Sequence, residues 1–266
     1  MCDQIYSLVR YLFYSTSITT SSQIRAMYCF VSNTLKAAQT VSTLVLQPGK
    51  THGLLPEIQA HILSTYFKEQ NWTFNQENPS KLKIIQETGG HARLTDRFME
   101  KSTWILAVEK PKNNSQTNIA GAMRLIENEP IELAGYRSKP IHDILDKYGA
   151  TGLVETNRLA VNSNYRDRGV GGKLMKALFQ YLAEKENDDR PLVASIPLNC
   201  LYGTNSSLLS EVLMPVGKPF YYEETDPAPA QLFISHRPDL QKAVSFFMKN
   251  RTEHNFQCKT NEIEST

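Results

Sequence analysis

The chain has 266 residues, is 41% hydrophobic and 21% charged, and carries a formal net charge of +2. It is long enough for one sizeable domain with extensions or for two small ones, and its composition is that of an ordinary folded protein. The charge balance, with no long Lys/Arg block, gives no case for nucleic acid, and no apolar run approaches the length of about 18 residues that a membrane span needs. Cys2, Cys29, Cys200 and Cys258 are scattered with no Cys-x-x-Cys pair, and the six histidines are dispersed, so no metal site is expected.

From Gln4 to Pro56 there is no Asp or Glu, while Ser and Thr abound and Arg10, Arg25, Lys36 and Lys50 are spread through the segment. Organelle transit peptides share that composition. The preferred reading is instead a helical extension over 1–40 that packs Tyr6, Val9 and Phe13 onto a cytoplasmic domain. Val41 to Leu46 alternates as a strand, stopped by Pro48-Gly49, and Leu54 to Phe67 is apolar at helical period. Asn71 to Lys101 is polar and reads as a long loop with some helix. Thr103 to Val108 and Asn118 to Ile126 are strands joined by a polar hairpin loop. Ile131 to Lys147 mixes loop and short helix, broken at Gly149. Leu153 to Val161 is a strand, and Gly172 to Glu186 is a helix striped by Leu174, Met175, Leu178, Phe179 and Leu182. Leu192 to Ile196 is a short strand, Asn205 to Leu213 a helix, and Pro219 to Glu224 with Gln231 to His236 a closing strand pair. Asn250 to Thr266 is polar and reads as disordered. The domain is expected over 41–245, followed by a polar tail over 246–266.

The run from Leu159 to Met175 is the most informative. An alternating strand enters a basic, glycine-rich turn, and an amphipathic helix follows at once. Backbone N–H groups leaving such a turn, with the partial positive charge of a helix start, suit a phosphate-bearing ligand. Gly169 and Gly171 let the backbone approach it closely. Lys173 in the helix's first turn opposes the macrodipole by roughly 0.3–1 kcal/mol, a conflict that an anion would relieve. A nucleotide P-loop does not fit, because Gly172-Lys173 is followed by Leu174 and the position five before Gly172 is Asp167. A dinucleotide fingerprint does not fit either, because Leu174 stands where a third small residue belongs.

The spacing Arg166-x-x-Gly169-x-Gly171, preceded by Leu159-x-Val161 and Tyr165 and followed by Gly172-x-Leu174-Met175, resembles the acyl-CoA pyrophosphate loop of the GNAT superfamily of N-acyltransferases. The resemblance implies a mixed α/β fold, in which a central, mostly antiparallel sheet is flanked by helices over roughly 42–240. It implies that the strand before the glycine turn and the next strand splay apart to admit a pantetheine arm. Leu159, Ala160 and Val161 would line that arm, with Leu159 and Val161 supplying backbone contacts. Arg166, Asp167, Arg168, Gly169, Val170, Gly171, Gly172 and Lys173 would hold the diphosphate of acetyl-CoA or another acyl-CoA, with no metal.

In the superfamily an amine attacks the thioester directly, without a covalent enzyme intermediate. Alignment of the reactants supplies roughly 7–11 kcal/mol, whereas a general base typically contributes about 10²–10⁴-fold. Glu155 is the preferred base, on the strand that leads to the thioester; strand parity places it on the opposite face from Arg158. Its bland alternative is a solvated strand-end carboxylate, or an ion pair with Arg124 or Arg158. The Tyr that many members use as thiolate acid would align with Val212 or Leu213, so it is absent, and Tyr202 is the candidate substitute. Ala120-Gly121-Ala122-Met123-Arg124-Leu125, the stretch Glu127 to Ile131, and Glu155-Thr156-Asn157-Arg158 resemble a particular branch. That branch is the acyl-homoserine-lactone and N-acyl amino acid synthases, which take long acyl groups, often from acyl carrier protein. Arg124 and Arg158 would then pair with an acceptor carboxylate, or else form inter-strand ion pairs. Asp96 matches an acidic residue of the branch in poorly aligned surroundings. The glycine loop is better formed than in the lactone synthases, which puts lactone production itself in doubt. The expected activity is acyl transfer, acetyl by default, from acyl-CoA to the primary amine of a small molecule. A long-chain N-acyl amino acid synthase using acyl-CoA or acyl carrier protein, and a non-catalytic acyl-CoA-binding protein, are the alternatives. The oligomeric state stays open.

Overall fold

The structure is a computed structural model that describes residues 41–50, 53–69, 78–86, 92–109, 118–185, 188–198, 212–222 and 228–249. The expected N-terminal extension, most of the expected helix from Asn205, and the polar tail from Asn250 lie outside the described residues, as does Tyr202. No helix among the described residues is long and apolar enough to cross a membrane.

Two strands form the centre because both of their faces are apolar. They are β4 (Thr103–Glu109) and β5 (Asn118–Ile126), the latter buried along all but its first residue. Around them, β1 (Val41–Leu46), β6 (Val154–Val161), β7 (Leu192–Pro197), β8 (Met214–Phe220) and β9 (Ala230–Ser235) complete a seven-stranded sheet. Its order is β1-β4-β5-β6-β7-β9-β8, and every pairing is antiparallel except β6 with β7. The mixed, mostly antiparallel sheet between helices is the architecture that the resemblance at the glycine turn implies.

Side-chain alternation decides which helix covers which face. Trp104 and Leu106 pack with Ile58 and Ile62 of α1 (Leu55–Leu63), whereas Ile105 and Ala107 pack with Leu174, Leu178 and Phe179 of α3 (Val170–Ala183). The short α2 (Lys139–Tyr148) presents Ile141 and Ile144 to Val193, Phe220 and Leu232. It stops at Gly149, whose N–H donates to Leu145 O at 2.7 Å and whose φ of 73° turns the chain out of the helix. At Gly121 an added Cβ would lie 3.0 Å from Val170 Cγ1, 3.1 Å from Leu174 Cδ1 and 3.1 Å from Ala160 O. The missing side chain is what lets the start of α3 sit directly on β5.

Several boundaries depart from the sequence pattern. The stretch 71–101 contains a second sheet, β2 (Lys83–Gln86) paired with β3 (Ala92–Thr95), too short for its alternation to stand out. Helix α1 ends at Leu63 and passes into a wider π-type turn, Ser64–Glu69. Helix α3 begins at Val170 rather than Gly172, because Gly169 takes the left-handed conformation (φ 74°) and caps it. The penultimate strand, β8, lies earlier than the apolar run Pro219 to Glu224 suggests. A last helix, α4 (Arg237–Lys249), runs past residue 245, where the domain was expected to end.

Strand β6 carries the decisive irregularity. Arg124 pairs with Asn157, but Ala122 pairs with Ala160, so Arg158 and Leu159 together oppose Met123. Arg158 sits at φ 54°, uncommon for a residue with a side chain, and this β-bulge reverses the side-chain parity beyond it. Val154 and Val161 consequently share one core cluster despite their odd separation, and Ala160 faces α1.

Candidate active site

The donor end is built where β6 and β7 part. They pair only from Val154 with Leu192 to Thr156 with Ala194, after which β7 stays with β9 to Pro197 while β6 continues to Val161. Past β6 the chain makes a 3-10 turn at Ser163–Tyr165, begun by Asn162 Oδ1 accepting from Asn164 N at 3.0 Å. Asp167 (φ 59°) and Gly169 (φ 74°) then reverse it into α3. Lys173 N donates to Gly169 O at 3.1 Å, closing the first turn of the helix. The N–H groups of Val170, Gly171 and Gly172 therefore have no intrahelical acceptor. Among the described residues no side chain caps them, and the first turn holds no acidic residue. A Cβ added at Gly171 or Gly172 would meet nothing within 4 Å, so the backbone there borders open space.

The side chains around this turn are spoken for in specific ways. Arg166 pairs with Glu69 of the π-type turn, and its Nε donates to Val161 O at 3.2 Å. Tyr66 donates to Leu159 O at 3.0 Å, and His61 Nε2 lies 3.2 Å from Ala160 O. Burial, opposed by the Ala160 carbonyl and Glu69, lowers the His61 pKa from the ordinary value. The carbonyls of Leu159 and Val161, expected to contact the pantetheine arm, thus each carry a side-chain partner, as does Ala160 O, although a carbonyl has a second lone pair to offer. The Arg168 guanidinium lies 5.8 Å from the Tyr165 ring. Tyr165 accepts from Asn118 Nδ2 at 2.8 Å and donates to Glu109; burial, then Glu109, push its pKa up to about 12. Lys173 also bridges two elements. Its Nζ donates to Val41 O at 3.0 Å and its amide is used inside the helix, so it ties α3 to β1.

On the α2 side of β6 lies a buried charge network. Arg124 has a fully buried side chain. Its Nη1 donates to both Asp96 oxygens at 2.7 and 2.6 Å, Nη2 to Glu132, and Nε to Asn157 Oδ1 at 2.8 Å. Arg158 donates to Glu132 at 2.8 Å and lies 3.5 Å from Asp96. Glu132 also accepts from Ser80 and from Asn157. Glu155 accepts from Leu133 N at 3.0 Å and from Asn157 Nδ2 at 2.8 Å. Burial first, then the Glu132 charge, raise the Glu155 pKa to about 7, against those two hydrogen bonds. Burial and Glu132 likewise push Tyr136 to about 12, and burial holds Tyr222 well above the ordinary value. At Asp96 burial favours the neutral acid, but Arg124 and Arg158 outweigh it and keep the carboxyl below the ordinary range.

Two sequence expectations change here. Glu155 and Arg158 do not face opposite ways, because the bulge turns Arg158 onto the side where Glu155 and Asn157 project. Arg124 is not placed to meet an acceptor carboxylate, since all three of its nitrogens are engaged by Asp96, Glu132 and Asn157. Sequence reasoning overlooked Glu132, one residue beyond the acidic stretch it had marked, and Asn157, which strand period places beside Glu155. It also overlooked Tyr66, Glu69 and His61, for which no local pattern exists. Val212 and Leu213, at the position of the expected thiolate acid, are buried apolar residues. Among the described residues, no group of three or more His, Cys, Asp or Glu is arranged to hold a metal.

Residues 70–195 match the family model described as the acetyltransferase (GNAT) family. The chain therefore carries a GNAT-type acyltransferase domain. Its fold is similar to that of the CoA-dependent acyl-homoserine lactone synthase BjaI, solved with SAM and isopentyl-CoA (16% identity, 78% of this chain and 90% of that one, TM-score 0.52). It is also similar to that of the AHL synthase LasI (15% identity, 77% of this chain and 93% of that one, TM-score 0.50). FeeM, an N-acyl amino acid synthase from uncultured soil microbes, aligns over 77% of this chain and 97% of its own at 15% identity and a TM-score of 0.45. At such identities the likeness is one of fold. No curated protein matches the sequence.

The network predicts a large, pH-dependent penalty for removing its central cation. Replacing Arg124 by Leu leaves Asp96 and Glu132 buried with one arginine between them, which costs about 3–5 kcal/mol in denaturant unfolding at pH 7. The depressed Asp96 stabilises the wild type above its unfolded pKa of about 4, and that contribution is lost as pH falls through the lower folded value. The difference between variant and wild type should accordingly shrink below about pH 4. An Arg124→Leu protein as stable as wild type at pH 7 would mean that the network does not carry the fold.

Proposed function

We propose that the protein is an acyl-CoA-dependent N-acyltransferase that moves an acyl group, acetyl by default, to the primary amine of a small molecule. The observation that carries this reading is the uncapped amide group of Val170, Gly171 and Gly172, set at the open end of the strand that also bears Glu155. The amides and the helix dipole would receive the donor diphosphate, with Arg168 beside them and Arg166 joining once released from Glu69. The parted edge of β6 at Leu159 and Val161 would receive the pantetheine amides. The thioester would then lie toward the bulge, beside the charge network.

The amine nitrogen attacks the thioester carbon in a ternary complex. Its proton passes to Glu155, which is ready to accept one near neutral pH because burial raises its basicity. The carbon–sulfur bond breaks with its electron pair on sulfur, and the thiolate takes a proton for which Tyr202 is the proposed source. Arg158, whose side chain is 11% exposed where that of Arg124 is fully buried, is the cation nearer the acceptor. Arg124 acts behind it by fixing Asp96 and Glu132.

Thiol release from a panel of acyl-CoA lengths and acyl carrier protein donors, against amines and amino acids, tests the reading. Acetyl-CoA with a small primary amine should release thiol, and Glu155→Gln should lower kcat by about 10²–10⁴-fold. Turnover only with long acyl groups selects the N-acyl amino acid synthase alternative, and binding without turnover selects the non-catalytic one. A loss within about threefold in Glu155→Gln would place the base elsewhere.

Gly171→Asp separates donor binding from folding. A carboxylate in the first turn of α3 favours the helix dipole by about 0.3–1 kcal/mol, and the open space around Gly171 accommodates it. It also repels a diphosphate. The melting temperature should hold or rise while the KM for acyl-CoA increases at least about tenfold, a change worth roughly 1.4 kcal/mol. An unchanged KM would remove this turn from the donor site.

A further inference from the structure

One amide nitrogen serves two carboxylates. Asn157 Nδ2 lies 2.7 Å from Glu132 Oε2 and 2.8 Å from Glu155 Oε1, so those two oxygens are at most about 5.5 Å apart. The same side chain is locked from its other end, where Oδ1 accepts from Arg124 Nε. The two carboxylates are nevertheless supported unequally. Glu132 accepts from both arginines as well as from Ser80 and Asn157. Glu155 has two neutral donors, Leu133 N–H and Asn157.

Five segments contribute groups to this corner. Asp96 follows β3, Arg124 comes from β5, and Glu132, Leu133 and Tyr136 come from the turn before α2. Asn157 and Arg158 lie on β6, and Tyr222 follows β8. Asp96 and Glu132 balance the two arginines, which leaves Glu155 as the carboxylate without a cation of its own. Like charges at this separation resist joint ionisation.

We propose that Glu132 is a positioning residue for the transfer reaction: through the Asn157 amide it holds Glu155 in place, and its charge sets the pH at which Glu155 exchanges its proton. The inference rests on Glu155 being the base. In the transfer step the nitrogen-bound proton moves to Glu155, while Glu132 keeps its bonds to Arg124 and Arg158.

Carbon-13 NMR of the glutamate carboxyls reads this directly, with the Glu155 signal assigned by its loss in Glu155→Gln. The wild-type midpoint is expected at about pH 7. Glu132→Gln removes the like charge and should lower the midpoint by about one pH unit or more, and the acidic limb of kcat should move with it. Asn157→Ala removes a donor that favours the charged form and should raise the midpoint. Glu132→Asp keeps the anion and should leave it within about half a unit. A midpoint unmoved by Glu132→Gln, or one moved the same way by Glu132→Gln and Asn157→Ala, overturns the proposal. Should Glu132→Gln fail to fold, a midpoint that falls in Asn157→Ala overturns it instead. Ionisation is read without turnover. If kcat survives Glu155→Gln while the midpoints move as stated, the base assignment fails and the coupling of the two carboxylates stands.

Discussion

The extra residue in β6 at Arg158 is the constraint on which the rest of the site depends. A non-glycine residue in the left-handed region costs on the order of 1–3 kcal/mol and persists only where its surroundings over-determine it. Here the surroundings are Glu132 and Asp96, which hold the Arg158 guanidinium on the side where Glu155 and Asn157 project. Without the bulge, strict alternation would send Arg158 to the opposite face and leave that carboxylate pair with Arg124 alone. The same irregularity follows directly on the last residues that β6 shares with β7. One local distortion thereby builds the charge network and opens the sheet edge beside it.

The network explains why β5 and β6 tolerate so much buried charge. Two arginines and two carboxylates interlock with nearly every polar atom partnered, which is the condition under which buried ions are sustainable. Glu155 stands apart because its donors are neutral. Structural carboxylates in such a setting are held ionised, as Asp96 is, whereas a group whose proton affinity is raised to near neutrality suits proton transfer. Within a few ångströms the fold separates a carboxylate with lowered proton affinity, Asp96, from one with raised proton affinity, Glu155.

Much of this was legible in the sequence, for identifiable reasons. The central strands β4 and β5 and the helix α3 announce themselves because their apolar periods are long and unbroken. The glycine turn was legible because Arg166, Gly169 and Gly171 keep a fixed spacing within a strand-to-helix passage. Periodicity cannot register an insertion of one residue, so the bulge stayed hidden, and with it the shared face of Glu155 and Arg158. Arg124 reads as a candidate ligand group until its partners are known, and those come from segments 28 and 8 residues away. The contacts of Tyr66 with the end of β6 and of Glu69 with the turn after it span more than 90 residues, a separation that no local pattern reports.

The central claim is that the free amides at the start of α3 receive the diphosphate of coenzyme A. Backbone amide NMR during a titration with coenzyme A measures those groups one by one. The Val170, Gly171 and Gly172 resonances should shift downfield together, saturate at one ligand equivalent, and become protected from hydrogen exchange. Saturable binding of coenzyme A that leaves these three amides unmoved would contradict that claim.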